Sequence, residues 1–229
     1  MPIAFVASNP DSARGNVSPR YIPALSFRWL TPLYDLLLKW VMREETFKRK
    51  LIQQANIRPR MNVLDLGCGT GTLTIMIKQS VPEANLTGLD GDTTVLTIAR
   101  AKASQAGVDI EWEQGLAYDL PYLDNSFDVV VSSLVVHHLV SEDKIRTFQE
   151  VFRVLRSGGM FHMVDFGPPR NLYEHALALF DRWLEEAQDN AEGRLPGMMH
   201  SVGLEEIEET FHFTTIFGSL SILQAVKGA

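Results

Sequence analysis

The chain has 229 residues, 45% of them hydrophobic and 21% charged, a composition that fits one sizeable core and excludes disordered and fibrous classes. Its 28 acidic residues outnumber its 21 basic ones, and the net charge of -7 disfavours a phosphate backbone, so no nucleic-acid partner is expected. The single cysteine, Cys68, forms no internal disulfide and no thiolate cluster, which removes disulfide scaffolds and structural zinc and points to a reducing, cytoplasmic setting.

Met1 to Pro23 is rich in Pro, Ser, Asn and Gly and lacks a basic start followed by an apolar stretch, so residues 1–30 read as an N-terminal arm and not as a signal peptide. Residues 31–229 read as one domain. From Thr31 to Ala55, Leu33, Leu37, Trp40, Val41, Phe47, Leu51 and Ile52 recur at helical spacing, which predicts an amphipathic helical lid. Met61 to Leu66 is a short apolar strand that runs into Gly67-Cys68-Gly69-Thr70-Gly71, and Thr72 to Ser80 has helical composition. Leu86 to Asp90 is a second strand, and Thr93 to Ala106 a helix that Gly107 ends as a left-handed cap. Asp109 to Glu113 is a third strand, and Phe127 to Ser133 a fourth, apolar on both faces as a strand covered by helices should be.

Ser141 is placed to cap a helix to about Leu155, after which Gly158 and Gly159 turn the chain into a fifth strand, Met160 to Phe166. Asn171 to Gln188 and Leu195 to Ser201 are helical, within a second lid segment at 171–203. Ile207 to Ile216 and Leu220 to Val226 form a closing hairpin with its turn at Phe217 to Ser219. This alternation predicts an α/β fold with a parallel sheet, helices on both faces and one antiparallel strand. No stretch reaches the roughly 18 apolar residues of a membrane-spanning helix.

Glycines directly after the first strand bring backbone amides close to a ligand. Asp90 follows Gly67 by 23 residues, where a carboxylate meets both hydroxyls of an adenosine ribose. Asp65 stands two residues before Gly67, which repels a pyrophosphate and suits an amino-bearing ligand. The third glycine of the dinucleotide fingerprint is replaced by Thr72, so a nicotinamide-dependent oxidoreductase is disfavoured.

Four ordered blocks, VLDLGCGTGTLT (Val63 to Thr74), GLDGD (Gly88 to Asp92), DLPYLDNSFDVVVSSLVVHHL (Asp119 to Leu139) and EVFRVLRSGGMFHMVDF (Glu150 to Phe166), resemble the class I S-adenosylmethionine-dependent methyltransferases. The likeness is to the small-molecule branch that includes the ubiquinone and menaquinone methyltransferases (methyltransferase type 11). It implies a Rossmann-like, doubly wound, seven-stranded sheet in the order 3-2-1-4-5-7-6 with strand 7 antiparallel, in agreement with the hairpin read from the tail. It also implies S-adenosyl-L-methionine as cofactor and S-adenosyl-L-homocysteine as product. In that frame Asp65, Gly67, Cys68, Gly69 and Gly71 hold the methionine part, Asp90 the ribose, Gly91 and Asp92 the adenosine surroundings, and Leu116 with Ala117 the adenine edge; Ser132 is a further cofactor contact. Many relatives carry an acidic residue where this chain has Leu116.

Methyl transfer from a sulfonium needs alignment, exclusion of water and at times a base, so a catalytic motif is faint. His137 and His138, just after the fourth strand, are the candidate bases, with His138 slightly favoured. Asp165 ends the fifth strand, either lining the opening or capping amides, and His162 reads as a packed, hydrogen-bonded histidine. Met198, Met199 and His200 read either as a soft wall over a substrate cavity or as core filler. No metal site is expected.

The lid segments carry Tyr21, Phe27, Trp29, Tyr34 and Trp40 on one side and Leu177, Phe180 and Trp183 on the other, which favours a small, apolar or lipid-like acceptor methylated at O, N or C. Only Tyr34-Asp35 survives of the N-terminal pattern of quinone methyltransferases, which argues against a quinone, and the lone cysteine excludes arsenic methylation. Charge is uneven: Asp35 to Arg60 carries a net of +4 and Glu174 to Glu209 a net of -8, so peripheral contact with anionic lipid is possible without insertion. Oligomeric state is not legible. A cofactor-binding protein without turnover is the alternative to an enzyme, motivated by Leu116 and the faint base.

Overall fold

Strand β1, Asn62–Leu66, occupies the middle of a seven-stranded sheet in the computed structural model, which describes residues 44–175, 188–216 and 218–228. Around it run β2 (Asn85–Asp90), β3 (Glu111–Gln114), β4 (Phe127–Ser133), β5 (Leu155–Phe166), β6 (Leu204–Thr215) and β7 (Gly218–Lys227), in the order β3-β2-β1-β4-β5-β7-β6. Strands β1 to β5 pair in parallel, and β7 is antiparallel to both β5 and β6. The order reverses between β2 and β4, on either side of β1, so the carboxyl end of β1 opens at a switch point where ligands bind in such sheets.

The helices are α1 (Glu44–Ala55), α2 (Thr72–Ser80), α3 (Thr93–Ala106), α4 (Ser141–Val154), α5 (Gln188–Ala191) and α6 (Leu195–Ser201). Alternation along β4 divides the core in two. Val129 and Val131 join Phe47, Leu51, Val63, Leu73 and Val164 under α1 and α2, whereas Val130 joins Leu66, Phe148, Val151, Phe161 and Met199 under α4 and α6. Each buried Phe or Leu contributes roughly 1.5–3 kcal/mol relative to an exposed one, so Phe47 and Leu51, with Ala55, help to hold α1 on the sheet. Among the described residues no helix is long and apolar enough to cross a membrane.

Several boundaries differ from expectation. Strand β5 starts at Leu155 and not after a glycine turn: Gly158 sits inside it at φ 73°, and the pairing of β4 with β5 shifts register between Phe127 and Val129. The glycines therefore mark an irregularity within a strand. Ser141 does not cap α4; Val140 holds the cap position, and the Ser141 hydroxyl donates to Asp189 Oδ2 at 2.6 Å. Thr215 faces Gly218, so Gly218 and Ser219 belong to β7 and the turn is tighter than expected. Met199 is fully buried with Met198 packed against the same cluster, which makes the pair core filler. The expected helices at Thr31 to Arg43 and from 176 to 187, with the aromatic residues they carry, lie outside the described residues.

Candidate active site

The glycine loop leaves β1 at Gly67, whose φ of +69° lies in the left-handed region. A Cβ built there would stand 2.4 Å from Cγ2 of Val135, so only glycine lets the loop after β4 press against the loop after β1. Gly67 and Cys68 both donate their amides to the Leu89 carbonyl, at 2.8 and 2.9 Å, which ties the loop to β2. Gly69, at φ +53°, differs: nothing lies within 4 Å of where its Cβ would be. That open cradle in the middle of the loop is what a ligand lying along the backbone requires.

Two carboxylates flank the cradle. Asp90 accepts from Gly69 N through Oδ2 and from Asp92 N through Oδ1, each at 2.9 Å. Each oxygen keeps a second lone pair for a diol. Burial raises its pKa, partly offset by those amides. Asp65 is 1% exposed and accepts from the Thr74 hydroxyl at 2.6 Å. Burial pushes its carboxyl up to about 6, with the Thr74 hydroxyl and the charge of Lys48 pulling the other way. A buried carboxylate with one hydroxyl donor is short of positive charge, and the α-ammonium of an amino acid would supply it.

The other residues implied as cofactor contacts stand around this loop. Gly115 donates its amide to the Asp90 carbonyl at 3.1 Å, which brings half-buried Leu116 and Ala117 to the rim of the ribose position. Gly91 follows Asp90 directly, and its carbonyl accepts from Gln114 Nε2 at 3.4 Å. Ser132 is buried, and its hydroxyl donates to the Leu66 carbonyl at 3.0 Å, so it fastens β4 to β1 beneath the loop. Cys68 is buried as well; burial and the nearby Asp65 and Asp90 charges push its thiol far up, which leaves it inert as a nucleophile. Trp112, not singled out from sequence, lies against the open faces of Gly71 and Gly88.

The second half of the site is built from the end of β4. Leu134 takes φ 59°, an uncommon conformation for a branched residue. It turns the next three amides onto one acceptor: Val135, Val136 and His137 donate to Asp165 Oδ2 at 3.2, 2.7 and 3.4 Å. The other oxygen, Oδ1, accepts from Phe166 N at 2.7 Å and Asn190 Nδ2 at 3.3 Å, and lies 2.8 Å from His137 Nδ1. Asp165, 2% exposed, thus caps amides and holds His137. Burial alone would raise its pKa, but His137 and the amides hold it below the ordinary carboxylate value.

His137 and His138 form a short 3-10 turn, Val136–His138, and their rings lie against each other with centroids 3.9 Å apart. His137 lies against a carboxylate, that of Asp165, while His138, the slightly preferred candidate base, is exposed. His162 is fully buried in β5, but neither ring nitrogen has a hydrogen-bond partner, and burial lowers its pKa to about 4. It is a neutral core residue. Among the described residues no group of three or more His, Cys, Asp or Glu could hold a metal ion. A cleft of about 330 Å³ between α1 and α2, lined by Arg49, Ile52, Gln53, Met76, Gln79 and Ser80, lies away from the strand ends and their carboxylates.

Comparison with known proteins bears on the fold and the enzyme class. Residues 63–159 match the methyltransferase domain family. The chain is 29% identical over 218 residues to demethylmenaquinone methyltransferase of Listeria monocytogenes, covering 81% of this chain and 88% of that protein. It is 31% identical over 145 residues to the enzyme of the same name from Thermus thermophilus, covering 62% and 65% respectively. In structure it is similar to phosphoethanolamine N-methyltransferase 2 of Haemonchus contortus, solved with S-adenosyl-L-methionine, at TM-score 0.68 and 15% identity over 80% of this chain and 53% of that one. That last likeness speaks for the fold alone. With the strand order, the loop and these relatives together, the chain is an S-adenosylmethionine-dependent methyltransferase, similar in fold and motifs to the class I enzymes.

Proposed function

We propose that this methyltransferase acts on a small, apolar, lipid-like acceptor and uses His137 as a general base, with Asp165 positioning it. The observation that carries the proposal is the 2.8 Å contact between His137 Nδ1 and Asp165 Oδ1, beside a loop that presses on the glycine loop.

Ionised Asp165 only accepts hydrogen bonds, so in the neutral form of His137 the proton sits on Nδ1 and Nε2 carries the lone pair. Bound S-adenosylmethionine supplies an electrophilic methyl carbon and a neutral leaving sulfur. As the new bond to the acceptor forms, Nε2 takes the acceptor's proton, and Asp165 balances the imidazolium across the Nδ1 bond. The loop need not reorganise, since Asp165 is held from six directions, by the amides of Val135, Val136, His137 and Phe166, the Asn190 amide and the ring itself.

The acceptor class rests on the rim. Leu172, Tyr173 and Ile216 are 91%, 50% and 52% exposed, and they lie just past β5 and β6, whose carboxyl ends share the edge that carries Asp165. Tyr173 donates its hydroxyl to the Ile216 carbonyl at 3.0 Å, which draws them into one apolar rim. Exposed apolar patches of this kind mark contact with apolar ligands, partners or lipid. The relatives named demethylmenaquinone methyltransferases fit a lipid-soluble acceptor as well. The test incubates the protein and methyl-labelled S-adenosylmethionine with a membrane-lipid extract and, separately, with demethylmenaquinone. Label in the organic phase, with an equivalent of S-adenosylhomocysteine, is expected. Label confined to water-soluble products would overturn the acceptor class, and no label anywhere in lipid or metabolite extracts would overturn the proposal.

A further inference from the structure

Beside Asp165 lies a buried hydroxyl that the chain itself does not use. Strand β7 runs between β5 and β6 and sets Ser221 directly opposite Asp165 on one side and His212 on the other, so the three side chains stand in a row on one face of the sheet. Ser221 is 4% exposed, and its Oγ has no hydrogen-bond partner among the protein's own groups. Alanine would fill the same place without burying a polar atom, and an unmet hydroxyl destabilises a fold. Gly167, just past β5, is kept small for it. The Gly167 backbone lies outside the left-handed region, so its conformation asks for no glycine, but a Cβ there would stand 2.3 Å from Ser221 Oγ and 3.0 Å from Ser221 Cβ. The chain forgoes a side chain at one position to make room for a hydroxyl that bonds to nothing within it.

The groups around Ser221 share this character. Asn190 in α5 is 1% exposed and donates its amide hydrogens to Asp165 Oδ1 at 3.3 Å and to the Phe166 carbonyl at 3.2 Å. Ionised carboxylate and carbonyl only accept, so the amide cannot turn over, and Asn190 Oδ1 is left buried without a donor. Ser219 Oγ lies 3.7 Å from the same Cβ position of Gly167 and 3.1 Å from His212 Nδ1. His212 Nε2 in turn lies 3.4 Å from Glu174 Oε1, a further buried oxygen without a hydrogen bond. Oxygens from β7, from α5 and from the segment after β5 thus gather next to the carboxylate that holds His137, and what they lack is donors. Tyr173 of the apolar rim directly precedes Glu174, so the rim adjoins this polar group.

We propose that this polar group binds the methyl acceptor, and that Ser221 with Asn190 Oδ1 selects acceptors that carry a hydroxyl or amino group apart from the atom that is methylated. The inference deepens the proposed function and rests on it: the apolar body of the acceptor meets Leu172, Tyr173 and Ile216, and its donor-bearing head enters beside Asp165 and His137. Ser221 is then a specificity-determining residue, since its hydroxyl gives and takes a hydrogen bond whereas Asn190 Oδ1 and Glu174 Oε1 only take. A head without O–H or N–H leaves these oxygens unmet and is rejected for that reason.

The test uses methyl-labelled S-adenosylmethionine with a membrane-lipid extract as the acceptor pool, and reads rate against extract concentration for wild type and Ser221→Ala. Ser221→Ala is expected to raise the apparent KM for the extract about tenfold, while kcat and calorimetric S-adenosylhomocysteine affinity stay within about twofold. Deuterium exchange and mass analysis of the labelled wild-type product should find hydrogen on oxygen or nitrogen, and the product's formula tells a hydroxyl from an amine. A product without exchangeable hydrogen would overturn the proposal, as would an unchanged KM, which would leave the Ser221 hydroxyl to a water molecule. Lost S-adenosylhomocysteine affinity in the variant would make Ser221 a structural residue and overturn it as well. Wild-type protein that labels nothing would instead overturn the methyl-transfer reading on which the proposal stands.

Discussion

Replacing Asp65 with Asn should make the protein more stable and nearly blind to its cofactor. Burial raises the Asp65 carboxyl from 3.8 to about 6. At about 1.4 kcal/mol for each pH unit, keeping it ionised in the ligand-free fold costs about 3 kcal/mol. The sign follows from linkage: with a raised native pKa, stability is highest below 3.8, is lost as pH rises toward 6, and stays level above that. Asn keeps an oxygen for the Thr74 hydroxyl and carries no charge. Urea denaturation at pH 7.5 should therefore show Asp65→Asn more stable by up to about 3 kcal/mol, and the advantage should vanish near pH 4. His162 works in the opposite direction, because its lowered pKa makes the native state lose stability as pH falls through 6.5 toward 4. The wild-type curve is a net of the two, and the variant-minus-wild-type difference isolates Asp65. The same variant should bind S-adenosylhomocysteine at least about thirtyfold more weakly, since a buried partner of a charge contributes about 2–5 kcal/mol. An Asn variant less stable than wild type at pH 7.5 would refute the reasoning and make Asp65 a structural carboxylate.

Other expectations follow from the same geometry. His137→Ala should lower kcat by about 10²–10⁴-fold with S-adenosylhomocysteine affinity intact, whereas His138→Ala should stay within about threefold of wild type on this assignment. Asp165→Asn should destabilise the fold by about 3 kcal/mol, measured by urea denaturation. Its stabilising contribution is present above the ordinary carboxylate value and lost as pH falls through the lowered native one. Gly67→Ala meets both the left-handed φ and Val135, so a loss of about 2 kcal/mol and of roughly 4–8 °C in Tm is expected by calorimetry. In the wild type, S-adenosylhomocysteine affinity should fall as pH drops below about 6, since Asp65 must shed a proton to meet an ammonium.

The parts of the fold legible in the sequence are those with a local cause. Helix α3 runs from Thr93 to Ala106 as read, because Asp92 accepts from Thr94 N at 2.7 Å and Gly107 closes the other end at φ 66°. Strand β4 is likewise complete, as its β-branched run is buried between helices. The glycine loop could be placed by its position after β1, but not the reason for Gly67, which is a valine 68 residues later. Asp165 shows the same limit: its donors come from the loop after β4, from its own chain neighbour and from Asn190 in α5. Which histidine it holds depends on Leu134 adopting φ 59°, and no sequence pattern signals that.

The central claim is that the carboxyl edge of the sheet binds S-adenosylmethionine and that His137 completes it as a methyl-transfer site. Methyl-labelled S-adenosylmethionine, incubated with a lipid extract and either wild type or His137→Ala, tests it most directly. The account predicts a labelled lipid-soluble product with wild type, lost with the variant although the variant still binds S-adenosylhomocysteine. Equal product with both proteins, or none with wild type, would contradict it.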